Sequence, residues 1–297
     1  MATKKKMLQA AAGSAGSAGV LDITDVFSTY LYEGNGSSQA ISNNITLGAG
    51  GGFQTTALRE IQSQATAVAR DSSDNVYMVF TGNVGTNNDG VVVGKFSSTG
   101  TNIWYAGLRN TNYPQDTPFD LAVDSNNNVY VVGKARASSS QSRAFLAKFN
   151  SSGTLLFQRV MYANQNSTDQ EFTGVTIDSS NNVYVVGSYY RSGISNLNGL
   201  VAKYDSSGTL LFQKEIRRDS YFLRGRSIAL DSGGNIIVSF SGKDNSNVIS
   251  SFVLKLNSSG SETWERRIYN PSNQSTTPSI NGIVVDSNDN YYVCNYN

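Results

Sequence analysis

The chain has 297 residues, a net charge of +1, 15% charged and 39% hydrophobic residues, one cysteine and no histidine. That length suffices for a real core, while near-neutrality removes the Lys/Arg excess of a duplex nucleic-acid binder, so no nucleic-acid partner is expected. The lack of histidine excludes Ser-His-Asp and Cys-His triads and imidazole metal ligands, and Cys294 alone supports neither a disulfide framework nor a cysteine zinc site.

Residues 1–19 open with Lys4, Lys5 and Lys6, then Met7 and Leu8, and pass into Ala, Gly and Ser. The basic start imitates a secretory signal, but two large apolar residues do not make its hydrophobic segment. Ala/Gly/Ser at this density buries too little surface to offset its ordering entropy, so residues 1–25 are expected to form a flexible arm. No apolar run of about 18 residues follows anywhere, so membrane insertion is not expected. The stretch Gly48-Ala49-Gly50-Gly51-Gly52 lacks the Lys-Ser/Thr of a phosphate loop and reads as a linker.

From about residue 67 to 297 the sequence repeats. Asp124-Ser-Asn-Asn-Asn-Val-Tyr-Val-Val-Gly133 recurs as Asp178-Ser-Ser-Asn-Asn-Val-Tyr-Val-Val-Gly187, with weaker copies beginning at Asp71, Asp231 and Asp286, a period near 54. A second landmark, a Ser-rich turn, ends at Gly100, Gly153, Gly208 and Gly260. Each repeat reads as four short strands, for example Phe172–Ile177, Val183–Tyr189, Leu200–Tyr204 and Leu210–Ile216. Val, Ile, Tyr and Phe fill the strands, and Asn, Asp, Ser and Gly fill the turns. Recurring four-stranded units of this length predict an all-β fold, a β-propeller of about five four-stranded antiparallel blades. The fifth repeat contributes only two strands, Ile280–Val285 and Asn290–Tyr296. Residues 26–66 are therefore expected to supply closing strands, with Val26–Tyr32 and Thr56–Ile61 pairing against 280–296.

Several positions recur in every repeat. Each turn Asp is followed four residues later by Asn75, Asn128, Asn182, Asn235 or Asn290. A calcium loop would use these oxygens, but its Gly at position six and its Glu at twelve are missing, whereas an Asx turn needs only these residues, so no metal site is assigned. Trp104, Phe157, Phe212 and Trp264 lie four after each turn Gly, and Tyr77, Tyr130, Tyr184 and Tyr292 lie six after each turn Asp, with Ile237 replacing one. These rings could form a sugar-stacking rim, or wedges filling the same gap between successive blades. Lys95, Lys148, Lys203 and Lys255 lie five before each turn Gly and suit either an anion-binding ring or a solvated strand face.

The one charge asymmetry is basic: Arg217, Arg218, Arg224 and Arg226, with Arg266 and Arg267 one repeat later. It fits a docking patch for an acidic glycan or partner protein, or a guard on an edge strand. Asn257-Ser-Ser-Gly-Ser-Glu-Thr-Trp264 approaches a sialidase Asp-box without its Asp and spacing. The remaining acids occupy repeated turns, so a propeller glycoside hydrolase is the remote alternative, and the chain is expected not to be an enzyme. No catalytic or cofactor-binding residue is assigned.

The repeats, above all Val123–Gly133 with Ala147–Phe157, resemble β-propeller repeats of the SBBP and NHL type, which implies the fold and little about function. The opening, Met1–Gly13 and Asp25–Gln39, resembles the shared N-terminus of virion structural proteins from marine tailed bacteriophages. That resemblance implies a structural or accessory virion protein, a tail, fibre or particle-surface component assembled in the bacterial host cytoplasm and present in multiple copies. Lys4, Lys5, Lys6, Met7 and Leu8 would dock on other virion proteins, and the propeller would be displayed. The alternative is an adhesion module binding a host receptor or glycan.

Overall fold

The computed structural model describes residues 53–54, 58–60, 65–84, 89–110, 115–137, 141–161, 169–190, 197–218, 222–243, 249–269 and 279–296. The expectations for residues 1–52, including the arm and the strand Val26–Tyr32, lie outside them. Twenty strands and no helix occur among the described residues. β1 (Phe53–Gln54), β2 (Leu58–Glu60), β3 (Ala65–Arg70), β4 (Val76–Val84), β5 (Asp89–Phe96) and β6 (Asn102–Asn110) form the first sheet. β7 (Thr117–Val123), β8 (Val129–Arg136), β9 (Ser142–Phe149) and β10 (Leu155–Val160) form the second. β11 (Gln170–Ile177), β12 (Val183–Tyr190), β13 (Leu197–Tyr204) and β14 (Leu210–Ile216) form the third. β15 (Phe222–Leu230), β16 (Ile236–Lys243), β17 (Ile249–Leu256) and β18 (Glu262–Tyr269) form the fourth, and β19 (Ser279–Val285) pairs with β20 (Tyr291–Tyr296). The fold is a multi-blade β-propeller, each complete blade an antiparallel meander. Two compact units are distinguished, one of residues 1–131, 135–137 and 148–156, the other of 132–134, 138–147 and 157–297.

Both recurrent turns are built alike. The Asp124 N–H donates to the Asn128 carbonyl at 2.9 Å and the Asn127 N–H to the Asp124 carbonyl at 2.9 Å; Asn150, Gly153 and Thr154 repeat the pattern at 2.8 and 3.0 Å. The fourth residue must then be left-handed, with φ 61° at Asn127 and 86° at Gly153, which only Gly, Asn and Asp reach at small cost. Asp124 Oδ1 also accepts the N–H groups of Asn126 and Asn128 at 2.9 and 2.8 Å, while Oδ2 takes the Asn128 amide at 2.8 Å. The Asx-turn reading holds, since the carboxylate is occupied by its own turn.

In the second unit the core explains why the middle strands are apolar throughout. Ile236, Val238 and Phe240 of β16 join Tyr184, Val186 and Val201 of the preceding blade in one cluster. Ile237, facing the other way, packs with Val253, Ile280 and Ile283. Period-two alternation thus covers both faces with protein, each large side chain contributing roughly 1.5–3 kcal/mol. Successive first strands lie side by side, β11 beside β15 and β15 beside β19. A Cβ on Gly225 of β15 would fall 2.6 Å from the Gly187 carbonyl oxygen of β12, so this backbone approach admits only glycine.

The first strands of four blades share a bulge, marked by register shifts at Ala65/Ala67, Phe172/Gly174, Gly225/Ser227 and Ile280/Gly282. The inserted residue is Thr66, Thr173, Arg226 and Asn281 in turn. Thr66 and Thr173 donate their hydroxyls to the Val79 and Val186 carbonyls at 3.3 Å. Arg226 has no such hydroxyl and reaches elsewhere.

One expectation is corrected. Residues 58–60 do not pair with the last hairpin; Leu58 pairs with Val84 and Glu60 with Asn83, extending the edge of β4 beyond β3. β1 pairs with β6. A partner some 25 residues away closes a far shorter loop than one more than 200 residues away, which favours the local ladder.

Candidate functional site

The repeated Asp, Tyr and Lys converge. Cross-strand register sets Tyr77 opposite Lys95, Tyr184 opposite Lys203 and Ile237 opposite Lys255. The ammonium of Lys95 lies 4.9 Å from the Tyr77 ring centre and 3.3 Å from Asp71 Oδ2, which also accepts the Tyr77 hydroxyl at 3.2 Å. Lys148 repeats this with Tyr130 at 4.7 Å and Asp124 at 3.5 Å, and Lys203 with Tyr184 at 4.7 Å and Asp178 at 3.9 Å. Neither an anion ring nor a solvated lysine face is found, for Lys95 and Lys148 are only 7% and 6% exposed. Burial pushes the Asp71 carboxyl up, but hydrogen bonds from Asn75, the Ser73 backbone and Lys95 together leave it below the usual range. Burial, then the Asp71 charge, pushes the Tyr77 hydroxyl up. Each trio ties the turn Asp to two neighbouring strands of its own blade, and its members are occupied with one another.

The fourth blade solves its missing tyrosine differently. Where Ile237 offers no hydroxyl, Tyr291 of β20 donates to Asp231 Oδ2 at 3.2 Å and accepts from Lys255 at 2.8 Å, while Lys255 also reaches Asp231 at 2.8 Å. Against the pull of burial, Lys255 and Asn235 bring the Asp231 carboxyl down to about 2.

The second aromatic series settles as wedges. Each ring rests on the turn glycine of the following repeat: a Cβ on Gly153 would meet Trp104 at 2.9 Å, one on Gly208 would meet Phe157 at 2.8 Å, and one on Gly260 would meet Phe212 at 2.9 Å. Trp104 also donates its indole N–H to the Ser151 carbonyl at 3.0 Å, and Arg159 donates to the Gly208 carbonyl at 2.7 Å. Trp264 lies against Tyr291, ring centres 5.8 Å apart.

The six arginines divide into two groups. Arg218, just past β14, binds Glu262 at 2.7 Å and Glu265, and Arg217 binds Glu215 at 3.0 Å. Arg266 covers the Trp264 ring at 5.6 Å, and Arg267 donates to Ser250 Oγ at 2.9 Å. Arg224 and Arg226 belong to β15, three strands across the sheet from β18, about 14 Å at ordinary strand spacing.

This second group meets residues that the sequence reading did not single out. Arg224 grips Glu171 with two hydrogen bonds, Nε to Oε1 at 2.6 Å and Nη2 to Oε2 at 2.8 Å. Glu171 and Arg224 occupy the same repeat position, seven before the turn Asp, in blades whose first strands adjoin; opposite charges at one position of consecutive repeats was the available signal. Ser188 donates to Glu171 at 3.3 Å. Ser142 donates its hydroxyl to Asp169. Tyr190 presents its ring edge-on to Phe222, centres 5.7 Å apart. Arg226 donates Nε to Ser241 Oγ at 2.6 Å. Two guanidiniums, two carboxylates and two adjoining rings, none of them a repeated scaffold group, make this the candidate site. Among the described residues no group of three or more His, Cys, Asp or Glu could hold a metal ion.

The SBBP β-propeller repeat family matches residues 103–137. A search of curated protein sequences returned no match. Among solved structures, a protein of unknown function from Dyadobacter fermentans is similar at 9% identity and TM-score 0.54, over 81% of this chain and 77% of that one. An α-L-arabinofuranosidase from Clostridium thermocellum is similar at 13% identity and TM-score 0.43, over 80% of this chain and 84% of that one. An endo-arabinase from Bacteroides thetaiotaomicron is similar at 12% identity and TM-score 0.43, over 79% of this chain and 90% of that one.

The expectation that the chain is not an enzyme is corrected: the solved structures similar to it include glycoside hydrolases, so this kind of fold gives no ground for excluding catalysis. The physical reason lies in the exclusion itself. Missing histidine and cysteine removes triads and zinc, but glycoside hydrolysis needs only two carboxylates.

Proposed function

We propose that the chain is a particle-borne protein of a tailed bacteriophage, docked through its N-terminal segment and displaying the β-propeller towards the host surface. The observation that carries this reading is bipartite organisation. Met1–Gly13 and Asp25–Gln39 share nothing with the Asp-turn and Gly-turn landmarks and resemble virion N-termini, whereas those landmarks recur from Asp71 to Asp286. Lys4, Lys5, Lys6, Met7 and Leu8 would meet other virion proteins, in several copies per particle. Support also comes from the blades: their recurrent Lys, Tyr and Asp are engaged with each other, which leaves recognition to non-repeated groups such as those around Arg224. Antibodies raised against the propeller should decorate purified particles and slow adsorption to host cells. Particles that neither bind the antibody nor contain the chain by mass spectrometry would overturn the reading.

A further inference from the structure

We infer that Arg224 and Arg226, with the rings of Tyr190 and Phe222, form a binding site for an acidic sugar, its carboxylate or sulfate held by Arg226 and its ring face set on the aromatic pair. The inference deepens the attachment reading and rests on it for the source of the ligand, a host surface polysaccharide.

Arg226 stands at the bulge of β15, where two other blades place a threonine that bonds back to its own sheet. Its Nε is fixed by Ser241 Oγ, which holds the guanidinium plane in one orientation. Among the described residues its two terminal nitrogens have no partner. Neighbouring Arg224 is already committed to Glu171 by a two-point contact, so Glu171 acts on Arg226 through its charge alone. A planar fork with two parallel N–H donors matches a carboxylate or sulfate bidentately. Burial, and then the Arg224 charge, pull Arg226 below the ordinary arginine range against the opposing Glu171 charge, and a bound anion counters the Arg224 repulsion.

The rings supply the second half of sugar chemistry. Phe222 is 37% exposed at the start of β15, and Tyr190 meets it edge-on from the end of β12. An apolar sugar face stacks on such a ring, while Asp169 and Glu171 offer acceptors for hydroxyls. Glu171 is held rigid by Arg224 and Ser188, so these groups are pre-organised.

Affinity electrophoresis of the purified full chain, in gels containing polygalacturonate, dextran sulfate or neutral dextran, tests this directly. Retardation by polygalacturonate or by dextran sulfate, with none by dextran, is expected, and the retarding polymer identifies the anion. R226Q should weaken retardation at least tenfold with its melting temperature unchanged, F222A should weaken it severalfold, and R266Q should leave it as in the wild type. No retardation by either acidic polymer, or equal retardation of R226Q, would overturn the site. The assay uses no particle, so its failure is distinct from failure of the virion reading, which particle composition decides.

Discussion

Tyr291 donates its hydroxyl to Asp231 at 3.2 Å, across the boundary between two repeats, and so takes the place of the tyrosine that Ile237 fails to provide. The Asp–Tyr–Lys arrangement therefore persists although its sequence signature is broken. In the intact repeats the tyrosine lies six residues after its aspartate; here it lies 60 residues away. Removing the hydroxyl leaves a buried carboxylate and Lys255 short of a partner. Tyr291→Phe is expected to lower unfolding free energy in urea by about 1–2 kcal/mol, with the denaturant slope unchanged. A change below about 0.3 kcal/mol would show the contact to be incidental.

Acid stability follows from the same aspartate. Asp231 is held at about 2, below the ordinary aspartate value of about 3.9, so it favours the folded state when ionised. Its contribution is complete above about pH 4 and is lost as pH falls towards 2. Asp231→Asn should flatten the loss of melting temperature between pH 4 and pH 2 relative to the wild type. An unchanged acid limb in the variant would contradict the assignment.

The ring-on-glycine wedges separate backbone strain from packing. Gly208 and Gly234 both have positive φ, 80° and 72°, but a Cβ on Gly208 meets Phe157 at 2.8 Å and one on Gly234 meets nothing within 4 Å. Gly234→Ala should cost about 1 kcal/mol from the left-handed conformation alone, and Gly208→Ala should cost at least about 1 kcal/mol more. Adding Phe157→Leu should recover part of the Gly208→Ala penalty. Equal costs for the two glycine variants would argue against the wedge.

How much of this was legible depended on whether the signal was local. The strands and the two turns could be read because each rests on residues within about five positions, the range at which turn chemistry and alternation act, and the repeat period because those local signatures recur along the chain. The rings at Trp104, Phe157 and Phe212 could be placed as wedges because one large group per repeat fills one recurring gap. The lysines were misjudged. Lys95 lies 24 positions from Asp71, and only the register of β4 against β5 sets it over Tyr77. Glu171 was passed over because its partner Arg224 lies 53 positions on, close to the repeat period itself. Pairing of 58–60 with β4 escaped because short strands carry little register information.

Ser239 offers a test by subtraction. Its hydroxyl is buried and has no hydrogen-bond partner among the described residues, so its desolvation is uncompensated there. Ser239→Ala should be neutral or stabilising by up to about 1 kcal/mol in thermal or urea unfolding. Marked destabilisation would mean the hydroxyl has a role in holding β16 against its neighbours.

The central claim is that an N-terminal segment carries the propeller onto a phage particle. The most direct measurement is particle incorporation of a chain lacking residues 1–19, compared with the full chain by quantitative mass spectrometry of purified virions, with circular dichroism confirming that the truncated chain is folded. The account predicts a folded truncated protein that is absent from particles while the full chain is present. Incorporation of the truncated chain at the level of the full one would contradict it.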